Sequence, residues 1–251
     1  MKNIDAFTGK ANIYNKSRPS YPNELINHIS QLGINANSTI ADIGSGTGKF
    51  SELLLSLNAK TYCVEPNEDM RLLAEKSLNK HPNFISINGS ADNTTLDNKS
   101  IDLITVAQAF HWFDKEAFYI ECKRILKNNG IVYLIWNTNI MTEPIIKEIE
   151  EVNNKYCPSY VGFNGGIFNN ESKIYSFFNN QLELATFPNN QIYNKANFIN
   201  RLLSSSYALT TNDNNYQDYI TALNDIFNKH SENDYIIMPI ETKCYYGKLI
   251  D

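Results

Sequence analysis

Short apolar runs alternate with longer amphipathic stretches along most of this chain. The runs at 38–43, 60–64, 83–88, 103–107 and 131–136 are built on β-branched and apolar residues. Such runs predict strands, and the near-continuous one at 103–107 predicts a strand buried on both faces of a parallel sheet. Between them, helices are predicted over 23–32, about 47–57, from the 65–70 turn to about 80, and over 115–127. The punctuation agrees. Gly33 follows the first helix, Pro66 ends the second strand because it lacks the N–H a ladder needs, and a basic last turn closed by Gly130 ends the 115–127 helix.

Past 138 the pattern thins. Ile145, Ile146, Ile149 and Val152 give a helix over 144–156, residues 157–170 read as a Gly- and Asn-rich loop, and 171–178 reads as a short helix. Alternation at 182–187 predicts a sixth strand. Helices follow over 197–206 and 216–229, and 235–246 reads as one final strand, antiparallel if it neighbours the sixth. The whole predicts an α/β fold: a Rossmann-like, mostly parallel sheet with helices on both faces and a small helical cap.

Composition narrows the function classes. At 251 residues the chain suffices for one compact domain. A net charge of −5 and a pI near 5.4 disfavour a nucleic-acid polymer as partner. Cys63, Cys122, Cys157 and Cys244 are scattered without a C-x-x-C pair and read as reduced thiols of a cytoplasmic protein. No run reaches the roughly 18 apolar residues of a membrane span, and the N-terminus lacks a signal-like apolar stretch. The histidines (His28, His81, His111, His230) show no metal-ligand spacing, and there is no G-x-S-x-G nucleophile elbow.

Two stretches carry the chemistry. The first strand ends in Asp42, and Gly44, Gly46 and Gly48 follow at alternate positions, with Ser45 between the first two. Glycines crowded between a strand and a helix mark a close approach of backbone and ligand. The second strand ends in Glu65, placed either to hold two ribose hydroxyls or simply as an acidic helix N-terminus. The spacing is neither the G-x-G-x-x-G of dinucleotide enzymes nor a P-loop. The second stretch, Gln108-Ala109-Phe110-His111-Trp112-Phe113-Asp114, lies just past the fourth strand, where open α/β sheets bind ligands.

The strand ending in D-x-G-x-G-x-G resembles motif I of the class I S-adenosylmethionine (SAM) methyltransferases. The string A-Q-A-F-H-W-F at 107–113 resembles their type 11-like branch, as do Arg124-Ile125-Leu126-Lys127 before Gly130 and the arm carrying Phe7, Lys10-Ala11, Tyr14 and Arg18-Pro19-Ser20-Tyr21-Pro22. The resemblance implies a sheet order 3-2-1-4-5-7-6 with strand 7 antiparallel. It divides the chain into an N-terminal arm and helix acting as a lid (1–37), a SAM-binding core (38–137), a helical cap or substrate insertion (138–180) and the rest of the sheet (181–251). It implies that Asp42, Gly44, Ser45, Gly46 and Gly48 wrap the methionine part of SAM. Glu65, with Pro66 and Met70, would hold the ribose, and Ser90 and Ala91, with Asp92 beside them, the adenine edge. Gln108, Ala109 and Phe110 would line the cofactor, and Tyr14 and Arg18 would face its carboxylate or the acceptor, unless the arm merely packs on the domain. Tyr21, Trp112, Trp136 and Asn137 are the acceptor-side candidates. His111 is either a base, an acceptor-orienting group or a structural ring in an aromatic wall, and Gln108 positions the cofactor.

The implied activity is methylation of a small molecule by a monomer or dimer. The N/D-P-P-Y/F string of amine-directed base methylation is absent after strand 4. A nicotinamide-dependent oxidoreductase and a non-catalytic SAM-binding protein remain as alternatives.

Overall fold

The structure is a computed structural model and describes residues 20–163 and 171–249. Strands β1 (Thr39–Ile43), β2 (Lys60–Val64), β3 (Phe84–Ile87), β4 (Ile101–Ala107) and β5 (Leu126–Asn139) pair in parallel. β9 (Ile240–Gly247) runs antiparallel between β5 and β6 (Glu183–Pro188), which gives the order β3-β2-β1-β4-β5-β9-β6. This is the predicted seven-stranded sheet, with β9 as its antiparallel strand.

The pleat sends alternate residues to opposite faces. Ile40, Leu103, Tyr133, Ile135 and Cys244 meet helices α1 (Glu24–Gln31) and α2 (Lys49–Leu55) on one face. Ala41, Ile104, Val106, Leu134, Trp136 and Tyr245 meet α4 (Lys115–Ile125) and α6 (Ser172–Phe177) on the other. Helix α3 (Glu68–Leu78) starts behind β2, its Asn67 cap accepting from the Met70 N–H at 3.0 Å.

Four departures from the sequence reading have physical causes. The 115–127 helix stops at Ile125, because Leu126 turns extended (φ −68°, ψ 136°) and pairs with Ile101. Gly130 is therefore no helix cap. A Cβ there would lie 2.6 Å from a Leu126 methyl and 3.1 Å from the Ile101 carbonyl, so glycine serves the close passage beside the register shift in β4 and β5. The 235–246 run is two strands split by Pro239: β8 (Tyr235–Met238) leaves the main sheet and pairs with β7 (Gln191–Asn194), a strand the sequence did not announce.

The division of the chain also differs. A second core of Ile146, Ile149, Phe198, Tyr219, Leu223 and Ile236 joins α5 (Pro144–Tyr156), α7 (Lys195–Leu203), α8 (Tyr216–His230) and the β7–β8 pair. The cap is thus assembled from both the 138–180 and 181–251 segments, and α6 packs on the sheet instead. Likewise α1, grouped with the arm as a lid, buries Leu25 and Ile29 against the sheet. Cap and sheet join where Ile140 N–H donates to the Pro239 carbonyl at 3.0 Å and Asn189 N–H to that of Ile240 at 2.9 Å.

Candidate cofactor site at the strand ends

Between β1 and α2 the chain makes a tight loop with Gly44 (φ +70°), Gly46 (φ +57°) and Gly48 (φ +81°) all left-handed, the region where a side chain strains the backbone. Each glycine has a different neighbour. A Cβ on Gly44 would stand 2.7 Å from the Ala109 methyl and 3.1 Å from the Phe113 ring, so the loop is pressed against the segment after β4. One on Gly48 would stand 2.7 Å from a Leu78 methyl, so the Cβ side of Gly48 faces α3. Gly46 meets only the Met70 sulfur, at 3.7 Å. Its open side is the cradle.

Glu65 closes this cradle from the end of β2. Its carboxylate accepts from Gly46 N–H at 2.9 Å and Asn67 N–H at 2.8 Å, while Arg71 holds the Glu65 carbonyl at 3.0 Å. Burial raises the pKa of this carboxyl, and the two N–H bonds pull it back only in part. A carboxylate has about four acceptor positions, so two N–H donors leave capacity for further hydroxyls.

Asp42 is different from its sequence-assigned role. It is wholly buried, and its oxygens accept from Ser51 Oγ at 2.6 Å and Thr105 Oγ1 at 2.8 Å. It ties β1 to α2 and β4 beneath the loop, with no face left for a ligand. Ser51 and Thr105 were not readable as its partners, because the contact with Thr105 spans 63 residues.

After β3, Gly89 to Thr94 fold into a tight turn in which Ser90 and Asn93 exchange main-chain bonds at 3.1 and 3.2 Å. A Cβ on Gly89 would stand 3.1 Å from a Val64 methyl, so the turn carrying Ser90, Ala91 and Asp92 starts beside the end of β2. After β4, Gln108 adopts φ +58°, a strain of roughly 1–3 kcal/mol for a non-glycine residue. Its N–H bonds the Ile135 carbonyl at 2.9 Å and its amide the Asn137 carbonyl at 3.1 Å, which lock the turn to β5. Ala109 then packs on Gly44. Phe110 is fully buried against Phe118, Phe177 and Trp136, a core residue and not a cofactor-lining one. His111 is half-buried and its ring lies 4.8 Å from that of Trp112, which is 39% exposed.

The acceptor-side candidates are dispersed. Trp136 is fully buried on the core face of β5 beside Phe110 and Tyr245, out of reach of an acceptor. Tyr21 packs edge-on against Phe50 of α2 at 4.8 Å. Asn137 is buried in a network: it accepts from Thr242 Oγ1 at 2.6 Å and from Asn189 at 3.0 Å, and donates to the Ser20 carbonyl at 3.2 Å. Trp112 alone of the four presents a large surface. Tyr14 and Arg18 lie outside the described residues.

These residues fit the SAM that the motif implies. The Gly46 cradle is open where a Cβ would stand, the Glu65 carboxylate has spare acceptor capacity, and the buried Ser45 hydroxyl has no hydrogen-bond partner among the described residues. Among the described residues no group of three or more His, Cys, Asp and Glu side chains is placed to hold a metal ion, and no helix is long and apolar enough to cross a membrane.

Comparison with known proteins adds an independent line. The family model described as "Methyltransferase domain" matches residues 41–134, the span from β1 to β5. An uncharacterized methyltransferase-like protein of Schizosaccharomyces pombe is 34% identical over 64% of this chain and 64% of its own. An uncharacterized methyltransferase of Mycobacterium tuberculosis is 31% identical over 59% of this chain and 58% of its own. The chain thus spans about three fifths of the length of these curated relatives. Among solved structures, a putative type II methyltransferase from Anaeromyxobacter dehalogenans shares the fold with a TM-score of 0.62 at 18% identity, covering 93% of this chain and 98% of that one. Motif, sheet order and matched span agree: residues 41–134 match the methyltransferase-domain family, and the sheet around them has the fold of a solved methyltransferase.

Proposed function

We propose that this protein transfers the methyl group of SAM to a small-molecule acceptor. The observation that carries this is the meeting of three segments at one end of the sheet: the glycine loop, Glu65, and the strained turn at Gln108 that presents His111 and Trp112. When bound, SAM supplies a methyl group already activated on a sulfonium. The protein's work is therefore orientation, an effect that can reach roughly 7–11 kcal/mol. Glu65 would hold the ribose hydroxyls, Gly46 and Ser45 the methionine part, and the 90–92 turn the base. Gln108 cannot swing freely, because its main chain and amide are both tied to β5; it sets where His111 stands. His111 would either take a proton from the acceptor or donate a bond that aims it.

Support for a small acceptor is the acidic chain, unsuited to a polyanion, and the cap with its own core beside the sheet. The exposed Trp112 face suits a flat or apolar acceptor. The described cysteines are all free and buried, which supports a reducing, cytoplasmic setting, and we propose a monomer or dimer.

The test is calorimetric titration with SAM, S-adenosylhomocysteine and NADH, on the wild type and on Glu65→Ala. Micromolar binding of the first two, lost in the variant and absent for NADH, is expected. Binding of NADH alone would make the protein an oxidoreductase. Tight SAM binding with no turnover across an acceptor screen would favour a non-catalytic SAM-binding protein.

A further inference from the structure

Helix α4 packs beside the base-edge turn and sends two charged side chains into the loop that follows it. Glu121 is 6% exposed, unusual for a carboxylate. One of its oxygens accepts from the main-chain N–H of Thr94 at 2.8 Å, from the Thr94 hydroxyl at 2.5 Å and from Arg124 Nη2 at 2.7 Å; the other accepts from Arg124 Nε at 2.7 Å. Arg124 Nη1 continues to the Leu96 carbonyl and to Asn98 Oδ1, both at 2.7 Å. Burial opposes the charge on Glu121, but the bonds from Arg124 and Thr94 outweigh it and leave the carboxyl below its ordinary range.

What the pair holds is strained. Thr95, β-branched and flanked by the two clamped residues, sits at φ +63°, a conformation such residues rarely adopt unless their surroundings impose it. The clamp imposes it. With Thr94 fixed, its carbonyl presses within 3.0 Å of where a Gly89 Cβ would stand, and the turn from Gly89 to Asn93 closes onto Val64. The main chain of Ser90 and Ala91 is thereby set at the end of β3 by a helix on the other side of the loop.

We infer that Glu121 and Arg124 are positioning residues for recognition of the adenine edge: through Thr94 they fix the 89–93 turn, so that the protein selects an adenine-bearing cofactor without either residue touching it. This inference rests on the proposed SAM site. It differs from a general stabilising role because the affected contacts are to the base alone, not to the ribose or the methionine part.

The test uses the full chain and two probes, S-adenosylhomocysteine and S-inosylhomocysteine, which differ only at the base edge, where a 6-oxo group and an N1–H replace the 6-amino group and the bare N1. The wild type is expected to prefer the first. Glu121→Gln should weaken S-adenosylhomocysteine about tenfold and the inosyl probe less than twofold, narrowing the preference. Glu65→Gln, which acts on the shared ribose, should weaken both alike. Thr94→Val, which keeps the volume and the N–H bond but loses the hydroxyl, should narrow the preference in the same direction, and Thr94→Ser should restore it. It also serves where Glu121→Gln does not fold. Equal losses for both probes in Glu121→Gln or Thr94→Val, or no loss, would overturn the inference. A wild type that binds neither probe would overturn the SAM site and this inference with it, whereas a wild type that binds both and variants that keep the preference would overturn the inference alone.

Discussion

At the scale of single residues, one wholly buried acid, Asp42, lies beneath the candidate site. Burial pushes the Asp42 carboxyl up to about 6, against roughly 3.9 in an unfolded chain. The folded state then binds the proton more tightly than the unfolded one. Stability from this group therefore falls as pH rises from about 4 to about 6, and the loss is complete above that window. Asp42→Asn removes the titration, so the difference in unfolding free energy between wild type and variant should move about 2 kcal/mol in the variant's favour from pH 4 to pH 8. Urea melts at the two pH values measure it. His111 poses a different question. If its ring aims or deprotonates the acceptor, His111→Ala should lower kcat by 10²–10⁴-fold, on the order of a general base's contribution, with SAM affinity nearly unchanged. Equal losses in kcat and SAM affinity would make it a structural ring.

Among the elements, the glycine loop separates packing from binding. Gly44→Ala would force a Cβ into the Ala109 methyl and the Phe113 ring, so it should cost stability by about 2 kcal/mol or more, within the usual range for overpacking. Gly46→Ala meets only the Met70 sulfur at 3.7 Å, so it should cost about 1 kcal/mol of backbone strain yet abolish S-adenosylhomocysteine binding. Thermal melts and calorimetry on the two variants give the comparison. This loop was legible in the sequence because its chemistry is local: a strand, an acid and three glycines within a few residues. The parts that were not legible depend on distant partners. Nothing near Leu126 says that it will pair with Ile101, so the helical pattern before it runs past the point where the helix ends. Trp136 looked like a pocket wall because its strand ends beside His111, but the pleat turns it to the core face. The β7 strand is four residues long and gains its identity only from β8, some forty residues on.

At the scale of the molecule, the described residues form three buried clusters, one on each face of the sheet and one in the cap, the cap joined to the sheet through short connections at Ile140, Asn189 and Pro239. A separate core permits separate opening. Native-state hydrogen exchange should show the amides of α5, α7 and α8 opening at lower free energy than those of β1, β4 and β5. Leu223→Ala, which hollows the cap core, should speed exchange in the cap while leaving the central strands unchanged; uniform acceleration would mean one cooperative unit. The placement of the two tryptophans has an optical consequence. Trp136, sealed in the sheet core, should emit in the blue and resist quenching by iodide, while Trp112, 39% exposed at the mouth of the candidate site, should emit further to the red and be quenched. A ligand settling against the 108–113 turn would dim or shift only the second signal. The protein thus carries a lamp at its doorway and a shielded reference lamp indoors, and Trp112→Phe would leave the reference alone.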